Sequence, residues 1–208
     1  MFTRARPYIF HIELTDKCNA GCPMCPRTDA MNFCKPDREK VFNVELSLDD
    51  IKQHFTDAFC ARTEEIVFGG AYGDPLAASQ FLEIADHLTA RDVRLAVATN
   101  GSLRNPDWWR DFGQMMKRTG SRLELHIDGL AYTNPLYRVH TFFDKIIENA
   151  EAYIATGARA EWHFIISPKC CHHSGLRKLP LVDTARRTPR AVRWSAISRN
   201  WLAASGSP

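Results

Sequence analysis

Apolar and polar positions along the chain change period repeatedly. "YIFHIEL", Tyr8 to Leu14, alternates and is rich in strand formers, and it runs into a cysteine-bearing loop. "SLDDIKQHFTDAF" opens on Ser47 as an N-cap and sets Leu48, Ile51, Phe55 and Phe59 on one helical face. "EEIVFGG" follows as a buried strand, "QFLEIADHL" as a helix and "VRLAVATNG" as a strand. "PDWWRDFGQMMKR" is a helix with Pro106 at its first position, and "RLELHIDG" is a strand. "TFFDKIIENAEAYIATG" is a helix closed by Gly157, and "RAEWHFII" is a fifth strand.

Five alternations of strand and helix predict βα units on a parallel sheet, either an open doubly wound sheet or a (β/α) barrel. Both architectures collect function at the C-terminal ends of their strands. Those ends carry Cys18, Cys22 and Cys25, then "GGAYGDP", "TNGS" and "HIDG".

Composition narrows the class. At 208 residues, 45% hydrophobic and 25% charged, the chain has the balance of a soluble globular domain. No window approaches the ~20 apolar residues of a membrane span, and the N-terminus has no signal-peptide core, so the expectation is a cytoplasmic protein. Charge is uneven: residues 167–208 hold eight Lys and Arg against a single acid, Asp183. That tail is punctuated by prolines and has no strand–helix alternation. Residues 1–166 are therefore expected to form the domain. Residues 167–208 are read as a basic tail, disordered or foreign to the fold, such as an out-of-frame or truncated end, with a nucleic-acid-binding arm as the second reading.

Seven cysteines is an odd number, and three of them lie within eight residues as "CNAGCPMC". That crowding favours metal or redox chemistry over disulfides. A structural zinc site is normally closed by four ligands, whereas three thiolates leave a metal position open. Cys34 and Cys60 lack partners at ligand spacing and read as structural. The adjacent residues of "CCHHS", Cys170 to Ser174, point oppositely on an extended chain and are poorly placed to share one ion.

"CNAGCPMC" resembles the signature of the radical S-adenosylmethionine (SAM) superfamily. The resemblance implies that Cys18, Cys22 and Cys25 hold three irons of a [4Fe–4S] cluster whose fourth iron chelates SAM. It also implies reductive cleavage of SAM and hydrogen abstraction from a substrate, with a flavodoxin- or ferredoxin-like protein as electron donor. "GGAYGDPL" resembles the family's Gly-Glu-Pro-Leu element, which places Gly73, Asp74 and Pro75 at the methionine end of SAM, Asp standing for the usual Glu. "ATNGS", "HIDGL" and "LYR" resemble segments of the branch with SPASM or Twitch extensions, where peptides are substrates. By that likeness Asn100, His126, Asp128 and Arg138 are candidates for the ribose and carboxylate of SAM. Met24 stands where many members carry an aromatic residue.

The implied fold is a partial (β/α) barrel of which five units are recognisable and the sixth is missing or aberrant. Plainer roles stand beside these: Asp74-Pro75, Asn100-Gly101 and Asp128-Gly129 are turn formers, His126 and His163 suit a packed strand, and Arg138 suits a loop. Alternative functions are a non-catalytic cluster-binding or electron-transfer remnant, and a zinc-containing nucleic-acid-binding protein. No catalytic side chain and no substrate can be read from the chain.

Overall fold

The structure, a computed structural model, describes residues 8–28 and 43–165. The basic tail, the "CCHHS" segment and Cys34 lie outside the described residues, as does the place of a sixth unit.

Five strands, β1 (Tyr8–Ile12), β2 (Thr63–Phe68), β3 (Arg94–Thr99), β4 (Arg122–His126) and β5 (Arg159–His163), form one sheet in the order β1-β2-β3-β4-β5. Every neighbouring pair is parallel. Chain order thus equals spatial order, the arrangement of a partial (β/α) barrel rather than of a sheet wound in both directions. The crossovers carry α1 (Leu48–His54), α2 (Asp57–Cys60), α3 (Phe81–Thr89), α4 (Pro106–Thr119), α5 (Asn134–Tyr137) and α6 (Phe143–Ile154). No described helix is long and apolar enough to cross a membrane.

One face of the sheet packs on the helices. Ile66, Phe68, Leu95, Val97, Leu123 and Leu125 alternate onto it and are fully buried. They meet Phe81, Ile84 and Leu88 of α3, Trp109, Phe112 and Met116 of α4, and Ile146 and Tyr153 of α6 in one apolar cluster. Gly113 lets α4 and α6 touch, since a Cβ there would lie 2.6 Å from Thr156 Oγ1 and 3.0 Å from the Tyr153 carbonyl. The other face is more polar, with Glu65, Glu124, His126, Glu161 and His163 beside Val67, Ala96 and Ala98.

The stretch expected as one helix from Ser47 is two. Ser47 makes a capping box with Asp50, but α1 ends at His54 and Phe55 leaves helical geometry (φ −97°, ψ 63°). Thr56 then caps α2, its hydroxyl accepting from the Phe59 amide. The break still buries Phe55 and stacks it edge-on to Phe59, so the apolar stripe survives without a continuous helix. Helix α5, four residues long, was not evident from periodicity and is too short to show any.

Candidate functional site

The cysteine loop leaves β1 and lies over the C-terminal ends of β2 and β3. Thr15 fixes its start by bonding to the Val44 carbonyl. The β2 loop passes directly beneath it, the Asp74 amide donating to the Lys17 carbonyl at 2.9 Å. At Gly73 a Cβ would fall 1.8 Å from the Thr15 carbonyl oxygen, which no side chain can survive. Glycine is demanded there by backbone contact, so the "GDP" element and the cysteine loop are one packed unit.

Asp74 is 4% exposed and wholly engaged. One oxygen accepts from the Leu76 amide (3.0 Å) and the other from the Asn100 amide (2.9 Å), and both contact Thr99 Oγ1. The residue caps the short 3-10 turn Pro75–Ala77 and staples the β2 loop to the end of β3. Burial pushes its pKa up, opposed chiefly by the Asn100 amide and the Thr99 hydroxyl. Pro75 is buried in the first position of that turn.

Asn100 continues the network. Its Nδ2 donates to Asn19 Oδ1 (3.0 Å) and lies 3.8 Å from Cys18 Sγ, while its Oδ1 accepts from Ser102. Asn19, between the first two cysteines, donates in turn to Ser102 Oγ at 2.8 Å. From beneath, the buried Asn149 of α6 donates to the carbonyls of Gly101 and Leu103.

On the other side of the cysteines, Arg138 stands between Asp128 and Cys22. Its Nε donates to Asp128 Oδ2 at 2.5 Å, and its Nη1 lies 3.7 Å from Cys22 Sγ. Asp128 is fully buried, its second oxygen accepting from the Ile165 amide and its own amide donating to Asn134 Oδ1. Burial alone would lower Arg138, but Asp128 and Cys22 hold it above its ordinary pKa. Tyr137 packs with Ala20 and Cys22, with Cys18 and Cys25 at the edge of the same cluster.

Burial raises the Cys18 thiol to about 11, with Asp74 adding to the effect, and it raises Cys22 against the pull of Arg138. Such thiols ionise when a metal binds and displaces their protons. Sulfur contacts within the protein are long and weak: the Ala20 amide to Cys18 at 3.4 Å and Cys25 to the Ala71 carbonyl at 3.7 Å. Cys60, by contrast, is the fully buried last residue of α2, with its thiol on the Phe55 carbonyl.

A family model described as the radical SAM superfamily matches residues 12–167, the span of strands, loops and cysteines just described. The chain belongs to the radical SAM superfamily. Among curated proteins no sequence match is found. Solved structures with the same fold include native anSMEcpe with bound AdoMet (TM-score 0.54, 17% identity, covering 74% of this chain and 42% of that one). A hexahistidine-tagged form of anSMEcpe with bound AdoMet is similar (TM-score 0.55, 18% identity, 74% and 41%). So is Streptococcus suis SuiB bound to the precursor peptide SuiA (TM-score 0.50, 13% identity, 75% and 32%). The radical SAM chain described here therefore spans less than half the length of these proteins.

Of the seven side chains singled out beyond the cysteines, the structure gathers Gly73, Asp74, Pro75 and Asn100 on the Cys18 side and Asp128 and Arg138 on the Cys22 side. His126 stands apart on the polar face of β4, its Nε2 buried and without a partner. Burial, then the charges of Arg138 and His163, lower its pKa to about 4. Sequence reasoning missed Asn19, Ser102, Asn134 and Tyr137. Asn19 and Ser102 were inside the quoted motifs, but their mutual contact spans 83 positions and has no local signal.

Proposed function

We propose that this chain is the core of a radical SAM enzyme in which Cys18, Cys22 and Cys25 hold a [4Fe–4S] cluster. The observation that carries the reading is a loop, inside the span that the radical SAM family model matches, that gathers three thiols, Cys22 buried and Cys18 and Cys25 half-buried, with the Arg138 guanidinium 3.7 Å from Cys22. When bound, the cluster supplies the electron that cleaves SAM reductively and so starts hydrogen abstraction from a substrate.

The chain's own residues bind and orient. Arg138 offers Cys22 a cation that offsets thiolate charge in a dry setting, and Asp128 holds that guanidinium in place. Asn19, Asn100 and Ser102 fix the loop carrying Cys18 against the β3 end. Asp74 acts from within, its carboxylate taking the Asn100 and Leu76 amides and so fixing the β2 loop against the end of β3. Its own oxygens are filled by Leu76, Thr99 and Asn100, so its support for the SAM ammonium is exerted through the loops and through its charge.

A peptide is the substrate class favoured, supported by the likeness in fold to a protein whose solved complex holds a precursor peptide. The electron donor is proposed as an acidic flavodoxin- or ferredoxin-like protein. A cleft of about 580 Å³ beside Cys18, lined in part by Lys17, Arg27 and Arg104, offers it a basic approach. A cytoplasmic setting follows from the oxygen-sensitive, reduced chemistry this reading requires.

The test is anaerobic iron and sulfide analysis of reconstituted protein and of variants. The wild type should hold about four irons and four sulfides, and Cys18→Ala, Cys22→Ala or Cys25→Ala should lose them while Cys60→Ala does not. Equal iron in all of these proteins would overturn the assignment.

A further inference from the structure

The polar face of the sheet carries a second set of donor groups, outside the cysteine site. Glu124 and His126 occupy alternate positions of β4 and so project from the same face. His163 on β5 is the register partner of His126. One ligand atom from each of the three lies within 4.8 Å of the others. The two imidazole rings are 5.3 Å apart, centre to centre.

Hydrogen bonds within the protein do not account for this convergence. His126 Nε2 is buried with no partner, a polar nitrogen whose burial costs free energy unless something meets it. His163 Nδ1 and Glu124 Oε2 face each other at 3.9 Å, too long for a hydrogen bond. The outer groups are arranged as a ligand set requires. Glu124 uses its other oxygen to accept from Arg122 Nε at 3.0 Å, which fixes the carboxylate. His163 turns its second nitrogen toward Glu161 Oε2, 3.6 Å away, the place of a carboxylate that orients a metal-bound imidazole.

We propose that Glu124, His126 and His163 bind one first-row divalent cation of the zinc type, in a site separate from the cysteine trio. Two imidazoles and a carboxylate form a donor set of intermediate softness, unlike the thiolates of the other site. Zinc–nitrogen and zinc–oxygen bonds of about 2.0–2.2 Å require the three donors to draw in by roughly 1 Å, within reach of side-chain rotation. Three protein ligands leave at least one coordination position for water or a substrate group. The proposal takes His126 for the ion rather than for the ribose of SAM, and it does not depend on the cluster assignment.

The experiment uses the full chain with iron and sulfide already reconstituted anaerobically. Protein is equilibrated with zinc(II), passed into zinc-free buffer and analysed for metal, alongside His163→Ala, His126→Ala and a control, His54→Ala, at an exposed histidine of α1 away from the site. The wild type and the control should keep about one zinc per chain more than either the His126 or the His163 variant, while zinc held elsewhere on the chain is equal in all of them. Far-UV circular dichroism establishes that each variant is folded, and a second readout needs only the wild type. Zinc-edge X-ray absorption of the one-equivalent sample should show a nitrogen and oxygen shell without sulfur. A sulfur shell, or equal zinc in wild type and the His126 and His163 variants, overturns the proposal.

Discussion

Replacing Asp128 by Asn removes the charge that faces Arg138 while keeping the side chain's shape. The carboxylate is fully buried and the Arg138 side chain is only 13% exposed, so water cannot take over the guanidinium. Breaking one partner of a buried pair costs about 3–5 kcal/mol, because the surviving charge is left uncompensated. In a chain of this size ~1 kcal/mol moves the melting point by roughly 2–4 °C, so a shift on the order of 10 °C is expected. Arg138→Gln should cost a similar amount by leaving Asp128 with the Ile165 amide alone. The double variant should be far better than the sum of the two, since neither charge then remains. Urea unfolding of cluster-free protein, followed by circular dichroism, measures all three. A single variant within about 1 kcal/mol of wild type, or strict additivity in the double, would refute the view of Arg138 as a buried, paired cation beside the cysteines.

Gly73→Ala should prevent the β2 loop from seating under Thr15, lowering both the melting point and iron retention on reconstitution; normal values for both would contradict the close approach. Asp74→Asn should cost about 1–3 kcal/mol, because an amide nitrogen then meets a buried donor at Leu76, Thr99 or Asn100, and chemical denaturation reads this directly. In metal-free protein His126 stays neutral to about pH 4 while an unfolded histidine gains its proton near 6.5. Stability should therefore fall as pH drops through that window, by at most ~3 kcal/mol, and His126→Gln should flatten the slope; an unchanged slope would show that His126 takes up its proton freely.

The order of elements was legible because each strand and helix of this chain carries its own period. β3 reads as a continuous apolar run and α4 as a helical stripe between Pro106 and Gly120, and both occur where expected. The split at Phe55 was not legible, since Thr56 is equally a helix residue and a cap until the core position of Phe55 is known. Gly73 and Asp74 were visible as a motif, but the reason for them was not. A glycine chosen by contact with Thr15 and an acid consumed by Thr99 and Asn100 depend on loops far apart in sequence. Glu124 illustrates the same limit: within "RLELH" it is an ordinary strand charge, and only the register that sets His163 beside His126 makes it a candidate ligand.

Reconstituting the full chain with iron and sulfide under anaerobic conditions, adding a strong reductant and SAM, and assaying for 5′-deoxyadenosine tests the central claim most directly. The account predicts 5′-deoxyadenosine from wild-type protein and none from Cys22→Ala. Wild-type protein that carries its cluster, binds SAM and still releases no 5′-deoxyadenosine would contradict it.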